Sequence, residues 1–216
     1  MFYALGDPIG VQLTGTYTNV MIEHPLVLEG ERVRLEPLLP AHIPPLLAIS
    51  KADPETYRYT STPTTDAEAE AYFAKAFGER KAGTAYPFVL LVGGDVVGTS
   101  RYADLRSAHR SCELGFTWLA PRVQGTGVNA ESKYLLLCHA FEVLDFLRVY
   151  FYTDARNVRS QRAIRKLGAA YEGTLRAERV MKDGYIRNTM VFSVIHTEWP
   201  EVKRTLEAQL GYARPV

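Results

Sequence analysis

A short glycine turn between a strand pattern and a helix pattern constrains this chain more than any other feature. It lies in the segment APRVQGTGVNAESKYLLL, which runs from Ala120 to Leu137. Gly125 and Gly127 let the backbone turn without a Cβ beside its amides. A helix that begins directly after them exposes unpaired N–H groups and a partial positive charge, which favour phosphate. The segment therefore predicts an anion-binding turn at the start of a helix.

The other patterns predict an α+β domain, because strands and helices do not alternate regularly. We expect a strand, two helices, three strands, a helix, a strand, a helix, two strands and, after Pro200, a terminal helix. The longest helix is predicted from Val128 to Phe146, and Asp183-Gly184 is a typical two-residue hairpin turn. The central sheet should be mixed and mostly antiparallel, with helices on its flanks.

Capping residues mark the ends of two helices. Thr65 followed by Glu68 spells a capping box for the second helix. Asn157 is a typical N-cap for the short helix NVRSQRAIRKLG, and Gly168 would follow its last turn.

Composition excludes several classes of protein. The 216 residues suit one domain, which we place at residues 26–216 behind an extension over residues 1–25. The extension could be ordered, could contact a partner, or could precede a true start at Met21. A net charge of +1 argues against nucleic acid as a partner, and no apolar run approaches the ~20 residues of a membrane helix. Without a recognisable signal peptide, we expect a cytoplasmic protein.

The two cysteines, Cys112 and Cys138, are too few for a disulfide framework and lack metal-ligand spacing. We expect buried thiols in a reducing compartment and no metal cofactor. Neither cysteine has a basic partner nearby in sequence, which argues against a role as an acyl carrier.

Two motif spellings overlap at the glycine turn. GTGVNA fits the dinucleotide motif G-x-G-x-x-A, and RVQGTG fits R-x-x-G-x-G, an acyl-coenzyme A loop. A dinucleotide site needs its first glycine directly after the strand, and an acidic residue ending the next strand. Here Pro121 to Gln124 intervene, and the strand from Arg148 to Thr153 contains no acidic residue before Asp154. The context favours acyl-coenzyme A.

Three segments around the turn resemble those of GNAT-superfamily N-acetyltransferases, and within them the RimJ/RimL-type enzymes that acetylate protein N-termini. They are CELGFTWLAPRVQGTGVNAESKYLLLCHAFE, RVYFYTDARNVRSQRAIRKLGAAYEGTLR and KDGYIRNTMVFSV. The resemblance extends from about Leu26 to Pro200. It implies a GNAT-like sheet with a V-shaped splay between the fourth and fifth predicted strands, and acetyl-CoA as co-substrate. It leaves the oligomeric state open, although homodimers are common in such families.

The same resemblance implies where coenzyme A would bind. Amides from Val123 to Val128 would hold its pyrophosphate, and pantetheine would lie in the splay like an added strand. Asn129 and Lys133 could reach phosphate from the helix face, although Lys133 could equally be a solvated surface lysine. Asn157 and Ser160 would approach the cofactor arm and sulfur besides capping their helix. The implied cofactor-binding residues are Phe116, Trp118, Arg122, Val123, Gln124, Gly125, Thr126, Gly127, Val128, Asn129, Lys133, Asn157 and Ser160.

Direct acetyl transfer needs a base for the acceptor ammonium and an acid for the departing thiolate. The resemblance implies Glu113 as the base, with Glu178 as a second candidate and an outward, solvated Glu113 carboxylate as the alternative. It implies Ser160 as the acid, with Tyr185 or Tyr171 behind it. A backbone N–H of the strand from Gly115 to Trp118 could polarise the thioester carbonyl.

The acceptor is left open by the sequence. The RimJ/RimL resemblance favours a protein N-terminus, while an antibiotic, a polyamine or an amino acid is the alternative, because the superfamily combines one cofactor site with many acceptor pockets. A non-catalytic acyl-CoA-binding module is a second hypothesis, and a nucleotide-dependent oxidoreductase would require the dinucleotide spelling.

Overall fold

A computed structural model describes residues 22–212, and within them eight strands form one sheet that is flanked by five α-helices. The expectation for residues 1–25 therefore falls mostly outside the described residues. The strands are β1 (Leu28–Glu29), β2 (Arg34–Pro37), β3 (Tyr86–Val92), β4 (Asp95–Arg106), β5 (Ser111–Leu119), β6 (Arg148–Asp154), β7 (Ala170–Val180) and β8 (Ile186–Ile195). The helices are α1 (Ile43–Ala52), α2 (Asp66–Lys81), α3 (Val128–Cys138), α4 (Val158–Lys166) and α5 (Trp199–Leu210).

The sheet order is β1-β2-β3-β4-β5-β6-β8-β7, and only the β5–β6 pair is parallel within residues 22–212. The predicted mixed, mostly antiparallel α+β architecture is confirmed. Strand β1 was not predicted, because two residues are too few for an alternating pattern.

Both faces of the sheet are covered. Phe88 and Leu90 on β3 belong to the larger apolar cluster, which includes residues of α3 and α5. Val89 lies between them in sequence and belongs to a second cluster with residues of α1 and α2. Since side chains alternate along a strand, this places helices on opposite faces of a central strand. Across residues 22–212, every helix is too short or too polar to serve as a membrane span.

The β5–β6 ladder is short, and this opens the sheet. It contains three residue pairs, from Ser111–Arg148 to Glu113–Tyr150. Beyond them, β5 continues to Leu119 paired with β4, while β6 continues to Asp154 paired with β8. The two strands therefore diverge as a V, which confirms the splay predicted between the fourth and fifth strand patterns.

A β-bulge on β5 lies directly beside this opening. Thr99 pairs with Trp118 and Arg101 with Gly115, so β5 has one residue more than β4 in the interval. Phe116 lies in the bulge with φ of 54°, an uncommon value for a bulky residue. Such strained bulges often occur beside binding sites, where they change the direction of a side chain.

The predicted capping residues are confirmed, but Glu68 does not complete the capping box, since its carboxylate accepts from the Thr64 amide at 2.7 Å and not from Thr65. The Thr65 hydroxyl accepts a hydrogen bond from the Glu68 amide at 3.2 Å, and the Asn157 side chain accepts one from the Ser160 amide at 3.1 Å. Gly168 follows α4 with φ of 90°. Each of these signals is local, which is why the sequence alone could show it.

The long helix differs from its prediction at its C-terminal end. The α-helix ends at Cys138 and continues as a π-helical turn over His139–Val143. The wider turn keeps Ala140 and Phe141 buried but rotates Val143 outward, where it is 70% exposed. The prediction of a regular helix through Phe146 was therefore wrong, because a π-helical turn contains about one residue more than an α-helical turn.

Candidate active site

A cleft of about 310 Å³ opens where β5 and β6 diverge. Its volume is at the lower end for small-molecule sites. Its walls carry several aromatic and charged side chains, among them Tyr57, Tyr152, Glu113, Lys133 and Arg187.

The glycine turn lies at one end of the cleft. Gly125 and Gly127 have φ of 80° and 93°, and a Cβ added at Gly125 would meet open space. The first main-chain bond of α3 runs from the Glu131 amide to the Gly127 carbonyl at 2.9 Å. The amides of the preceding first turn therefore have no partner within the helix, as an anion site requires.

Fewer backbone amides are available to an anion than the sequence predicts. Those of Val123 and Gln124 already donate to the Ala120 and Pro121 carbonyls at 3.1 Å within a 3₁₀ turn. The hydroxyl of Thr126 donates to the Val123 carbonyl at 2.8 Å, which fixes the turn. The amides available to an anion consequently begin at Gly125 rather than at Val123, while Val123 and Val128 are buried and anchor the turn in the core.

Besides Thr126, the expected polar side chains of Arg122 and Gln124 also have protein partners. Arg122 is paired with Asp95 at 3.4 Å and is more than half exposed. Gln124 donates to the Leu119 carbonyl at 3.0 Å and accepts a bond from Arg159 at 2.6 Å. Arg159, which sequence reasoning missed, therefore holds a positive charge beside the turn.

A second cation near the turn was also missed. A Cβ added at Gly127 would lie 3.4 Å from Cδ of Arg32. The Arg32 guanidinium pairs with the buried Glu131 carboxylate at 3.2 Å, so its position is fixed. The contact joins β2 to α3 across residues far apart in sequence, and no local pattern indicates it.

Lys133 lies inside the cleft. Its ammonium donates to Ser100 at 3.0 Å and to Thr117 at 2.5 Å, and its side chain is only 5% exposed. The alternative of a solvated surface lysine is wrong, because Lys133 lies on the face of α3 that packs on the sheet. Burial lowers the pKa of its ammonium to about 7.

Three more of the expected cofactor residues line the cleft. Asn129 extends from the first turn of α3, and Asn157 and Ser160 lie at the start of α4. The Ser160 hydroxyl makes no hydrogen bond to another described residue, so it is available to a ligand. Phe116 and Trp118 line the wall formed by β5, the strand whose edge diverges from β6.

Glu113 faces the cleft at the last residue pair before the strands diverge. Its side chain folds back over Gly115, where an added Cβ would collide with the carboxylate. Burial raises the pKa of the Glu113 carboxyl to about 7, although the charges of Arg179 and Arg187 act to lower it. The outward, solvated carboxylate is therefore wrong for this residue, and a carboxyl that titrates near neutral pH suits proton transfer.

Three further candidates for catalysis, Tyr185, Tyr171 and Glu178, do not line the cleft. Tyr185 lies in the β7–β8 turn, 37% exposed, and its ring stacks 3.3 Å from the Arg156 guanidinium. Tyr171 is 46% exposed, and its hydroxyl is hydrogen-bonded to the Thr174 hydroxyl. Glu178 is occupied by ion pairing with Arg179 at 2.9 Å. Tyr185 thus lies in a turn outside the cleft lining, and the carboxylate of Glu178 is held by Arg179 and by the Thr189 hydroxyl.

Sequence reasoning missed the tyrosines that do line the cleft: Tyr57, Tyr59, Tyr72 and Tyr152. Tyr152 lies two residues after Tyr150, the β6 partner of Glu113, and therefore on the same sheet face. Burial raises the pKa of its hydroxyl, and the charge of Glu113 adds to the effect. The alternation in RVYFYTD places Tyr150 and Tyr152 on one face of the strand. Only the pairing of β6 with β5 shows that Glu113 lies on this face too.

Neither cysteine lines the cleft. Burial raises the pKa of the Cys112 thiol far above its ordinary value, and that of Cys138 to about 11. Both thiols are thus held in the unreactive protonated form, which argues against acyl-carrier chemistry at either position.

These features fit an acyl carrier that contains a diphosphate. Amides from Gly125 into α3 face the anion, Arg159 adds positive charge, and the edge of β5 that diverges from β6 can accept an extended amide-containing arm. The residues that would hold it are those from Phe116 to Trp118, the turn, and the start of α4.

Comparison with known proteins agrees with this geometry. The sequence matches the family described as the acetyltransferase (GNAT) domain over residues 32–170, which is more than half of the chain. No curated protein matches the sequence. A solved structure from T. thermophilus, described as an unconfirmed acetyltransferase, is 41% identical with a TM-score of 0.78; the match covers 88% of this chain and 100% of that one.

More distant structures share the fold. RimJ of Mycobacterium smegmatis, solved in complex with CoA-disulfide, is 20% identical with a TM-score of 0.75, over 87% of this chain and 96% of that one. A Salmonella typhimurium acetyltransferase that modifies the N-terminal serine of ribosomal protein L7/L12 is 16% identical with a TM-score of 0.72, over 79% and 99%. By its sequence match and its fold, the chain belongs to the GNAT acetyltransferase family.

Proposed function

We propose that the protein transfers an acetyl group from acetyl-CoA directly to a primary amine, without an acyl-enzyme intermediate. The observation that carries this proposal is the half-buried carboxylate of Glu113, which lies in the cleft where β5 and β6 part and whose pKa is raised to about 7. A base that is partly ionised at pH 7 can take a proton from an ammonium and still attract it before transfer.

The coenzyme, when bound, supplies the activated acetyl group as a thioester. The amides from Gly125 into α3 would bind its diphosphate, and the edge of β5 around the Phe116 bulge would orient its arm. Glu113 accepts the proton of the amine, directly or through water. The Ser160 hydroxyl donates a proton to the departing thiolate and regains one from the acetylated nitrogen, which must lose its second proton to become an amide. A backbone N–H of β5 polarises the reacting carbonyl.

For the acceptor we propose a protein N-terminus. The support is the shared fold with RimJ and with the acetyltransferase of ribosomal protein L7/L12. Their sequences are only 20% and 16% identical to this one, so the acceptor pocket is this chain's own. A small-molecule amine is the second candidate, favoured by the modest cleft volume of about 310 Å³.

The test is acetyl-CoA binding by calorimetry followed by thiol release with a panel of peptides and small amines. We expect binding, and thiol release that depends on at least one acceptor. Glu113→Gln should bind acetyl-CoA and lose turnover, whereas Glu70→Gln, at an exposed position on α2, should behave as the wild type. Absence of acetyl-CoA binding would overturn the proposal; binding with no turnover on any acceptor would favour a non-catalytic acyl-CoA-binding module.

A further inference from the structure

Arg187 is a buried cation without a partner. Its residue is 6% exposed, its Nε makes no hydrogen bond, and within residues 22–212 its guanidinium has neither a hydrogen bond nor an ion pair. It nevertheless lines the cleft. Buried arginines are ordinarily paired, because an uncompensated charge in a protein interior is costly. The position is therefore suited to binding an anion.

A second arginine makes the excess of positive charge larger. Arg179 on β7 stands directly opposite Arg187 on β8 in the antiparallel register. Like charges at directly opposed positions destabilise a sheet. Arg179 also lines the cleft, but Glu178 already compensates it through bonds of 2.9 and 3.0 Å. Arg187 has no such neighbour in sequence.

A bulge on β7 precedes this pair and sets the register in which Arg179 lies opposite Arg187. The β7–β8 register shifts between Leu175 and Arg179, and Ala177 in that interval has φ of 50°. The Ala177 amide donates to the Asn188 side chain at 2.9 Å, which holds the strained backbone. A bulge of this kind changes side-chain direction.

Two other carboxylates near Arg187 are unavailable to it. Asp154 is bound by Arg156 through bonds of 3.1 and 2.8 Å to its two oxygens. Glu113 shares the sheet face of Arg187 by register, through Tyr150 on β6 and the β6–β8 ladder. It is, however, the proposed base, and it must stay free to take a proton.

Arg187 acts at the end of the cleft where the base lies. Glu113 is near enough for the Arg187 charge to influence the pKa of its carboxyl. The glycine turn follows Leu119, six residues further along β5 and about 20 Å of extended strand away. An anion on Arg187 therefore belongs with the acceptor rather than with a diphosphate at the turn.

We propose that Arg187 binds a carboxylate of the acetyl acceptor, so that the preferred acceptors carry a negative charge close to the reacting amine. The inference rests on the proposed function and narrows it. The planar guanidinium can hold a carboxylate through two parallel bonds, while Glu113 receives the ammonium. The carboxylate can come from a free amino acid or from an acidic side chain that follows a peptide N-terminus.

Four acceptors with matched charge changes test this proposal. They are the amidated tetrapeptides Ser-Asp-Ala-Ala and Ser-Asn-Ala-Ala, and the pair serine and serinamide. For at least one pair, we expect the wild type to favour the carboxylate by about 10- to 100-fold in kcat/KM, expressed mainly in KM. The pair that shows the preference identifies the source of the carboxylate.

Arg187→Met should reduce that ratio to about one, and Arg187→Lys should retain part of it. Arg176→Met on exposed β7 is the matched control and should keep the wild-type ratio. Because the buried guanidinium has no partner among residues 22–212, Arg187→Met should melt no lower than the wild type, whereas a structural arginine would lower Tm.

Three results would overturn the inference: no carboxylate preference in either wild-type pair, a preference that Arg187→Met leaves intact, or an equal loss of acetyl-CoA affinity in that variant. The first two leave the proposed function standing whenever any of the four probes is acetylated. If none is acetylated, calorimetry with coenzyme A present decides the inference, because carboxylate probes should bind to the wild type and not to Arg187→Met.

Discussion

The ammonium of Lys133 lies 2.5 Å from the Thr117 hydroxyl, which joins α3 to β5 inside the cleft. Thr117 belongs to the interval in which β5 has one residue more than β4. The hydrogen bond from Lys133 therefore holds the bulge in place. The ammonium lies on the same wall as Phe116 and Trp118. It positions this wall without a contact to the glycine turn.

Replacing Lys133 should change how stability depends on pH. Burial lowers its pKa to about 7 from an ordinary value of 10.5. Between these values the unfolded chain holds the proton and the folded chain does not, so stability increases as pH rises from 7 to 10.5. Lys133→Met should lack this increase. Melting curves at pH 7, 8, 9 and 10 measure it, with Lys75→Met on the surface of α2 as control.

A difference in Tm between Lys133→Met and the wild type that is constant over this range would contradict the prediction. The same would follow if Lys75→Met, whose side chain is 67% exposed, flattened the profile as strongly.

Glu113 should produce a single ionisation in the rate profile. Its pKa is raised to about 7, so kcat should rise through pH 7 as the carboxylate forms and then level off. Glu113→Gln should remove this inflection and lower kcat by about 10²- to 10⁴-fold. The charges that act on the carboxyl come from Arg179, Arg187, Asp104 and Arg101.

The rate profile is measured with saturating acetyl-CoA and an acceptor whose amine titrates well above pH 7. An inflection that persists in Glu113→Gln would assign the ionisation to another group and would exclude Glu113 as the base.

Two glycine substitutions on neighbouring strands should affect different properties, turnover in one case and stability in the other. A Cβ at Gly115 would collide with the flexible carboxylate of Glu113, which can move away. Gly115→Ala should therefore keep a Tm close to that of the wild type but lose kcat through displacement of the base. A Cβ at Gly98 would collide with the Trp118 carbonyl, which belongs to the sheet and cannot move. Gly98→Ala should unfold at a lower temperature.

Thermal melting and steady-state kinetics on both variants distinguish these outcomes. Full activity in Gly115→Ala would show that the observed position of the Glu113 carboxylate has no role in turnover.

Glu131 should be essential for stability. Its buried carboxylate accepts bonds of 2.7 Å from the Arg32 and Val33 amides, pairs with the Arg32 guanidinium, and contacts the Tyr212 hydroxyl. Glu131→Ala would leave these donors unpaired, and we expect a loss of about 3 to 5 kcal/mol of unfolding free energy. Urea denaturation measures the loss, and Glu70→Ala on α2 is the control. A loss below about 1 kcal/mol, typical for a surface ion pair, would contradict this assignment.

Local sequence signals predicted the secondary-structure elements well. The prediction of the site was limited, because the site depends on contacts between residues far apart in sequence. The bounds of β5 and the caps at Asn157 and Gly168 depend on neighbouring residues, so they could be read directly. The π-helical turn that exposes Val143 has no comparable local signal. It follows from packing between the end of this helix and the core.

The candidate site shows the same division. The turn at Gly125 was predicted from its motif, and Glu113 from the family resemblance. The burial of Lys133 depends on which side of α3 faces the sheet, and that of Arg187 depends on the β7–β8 register and its bulge. Tyr152 could be preferred over Tyr185 only after β6 was aligned with β5. Thirteen tyrosines offer no such ranking by sequence.

The short β5–β6 ladder has a mechanical consequence. Only three residue pairs join the two halves of the sheet at this seam, so the main chain has less cross-strand support there than anywhere between β3 and β5. A ligand arm that forms hydrogen bonds along the open edge of β5 would act as an added strand and would connect the two halves of the sheet. Occupancy should then slow deuterium exchange along this edge of β5 and raise resistance to proteolysis, so that the folded state tightens as the cleft fills.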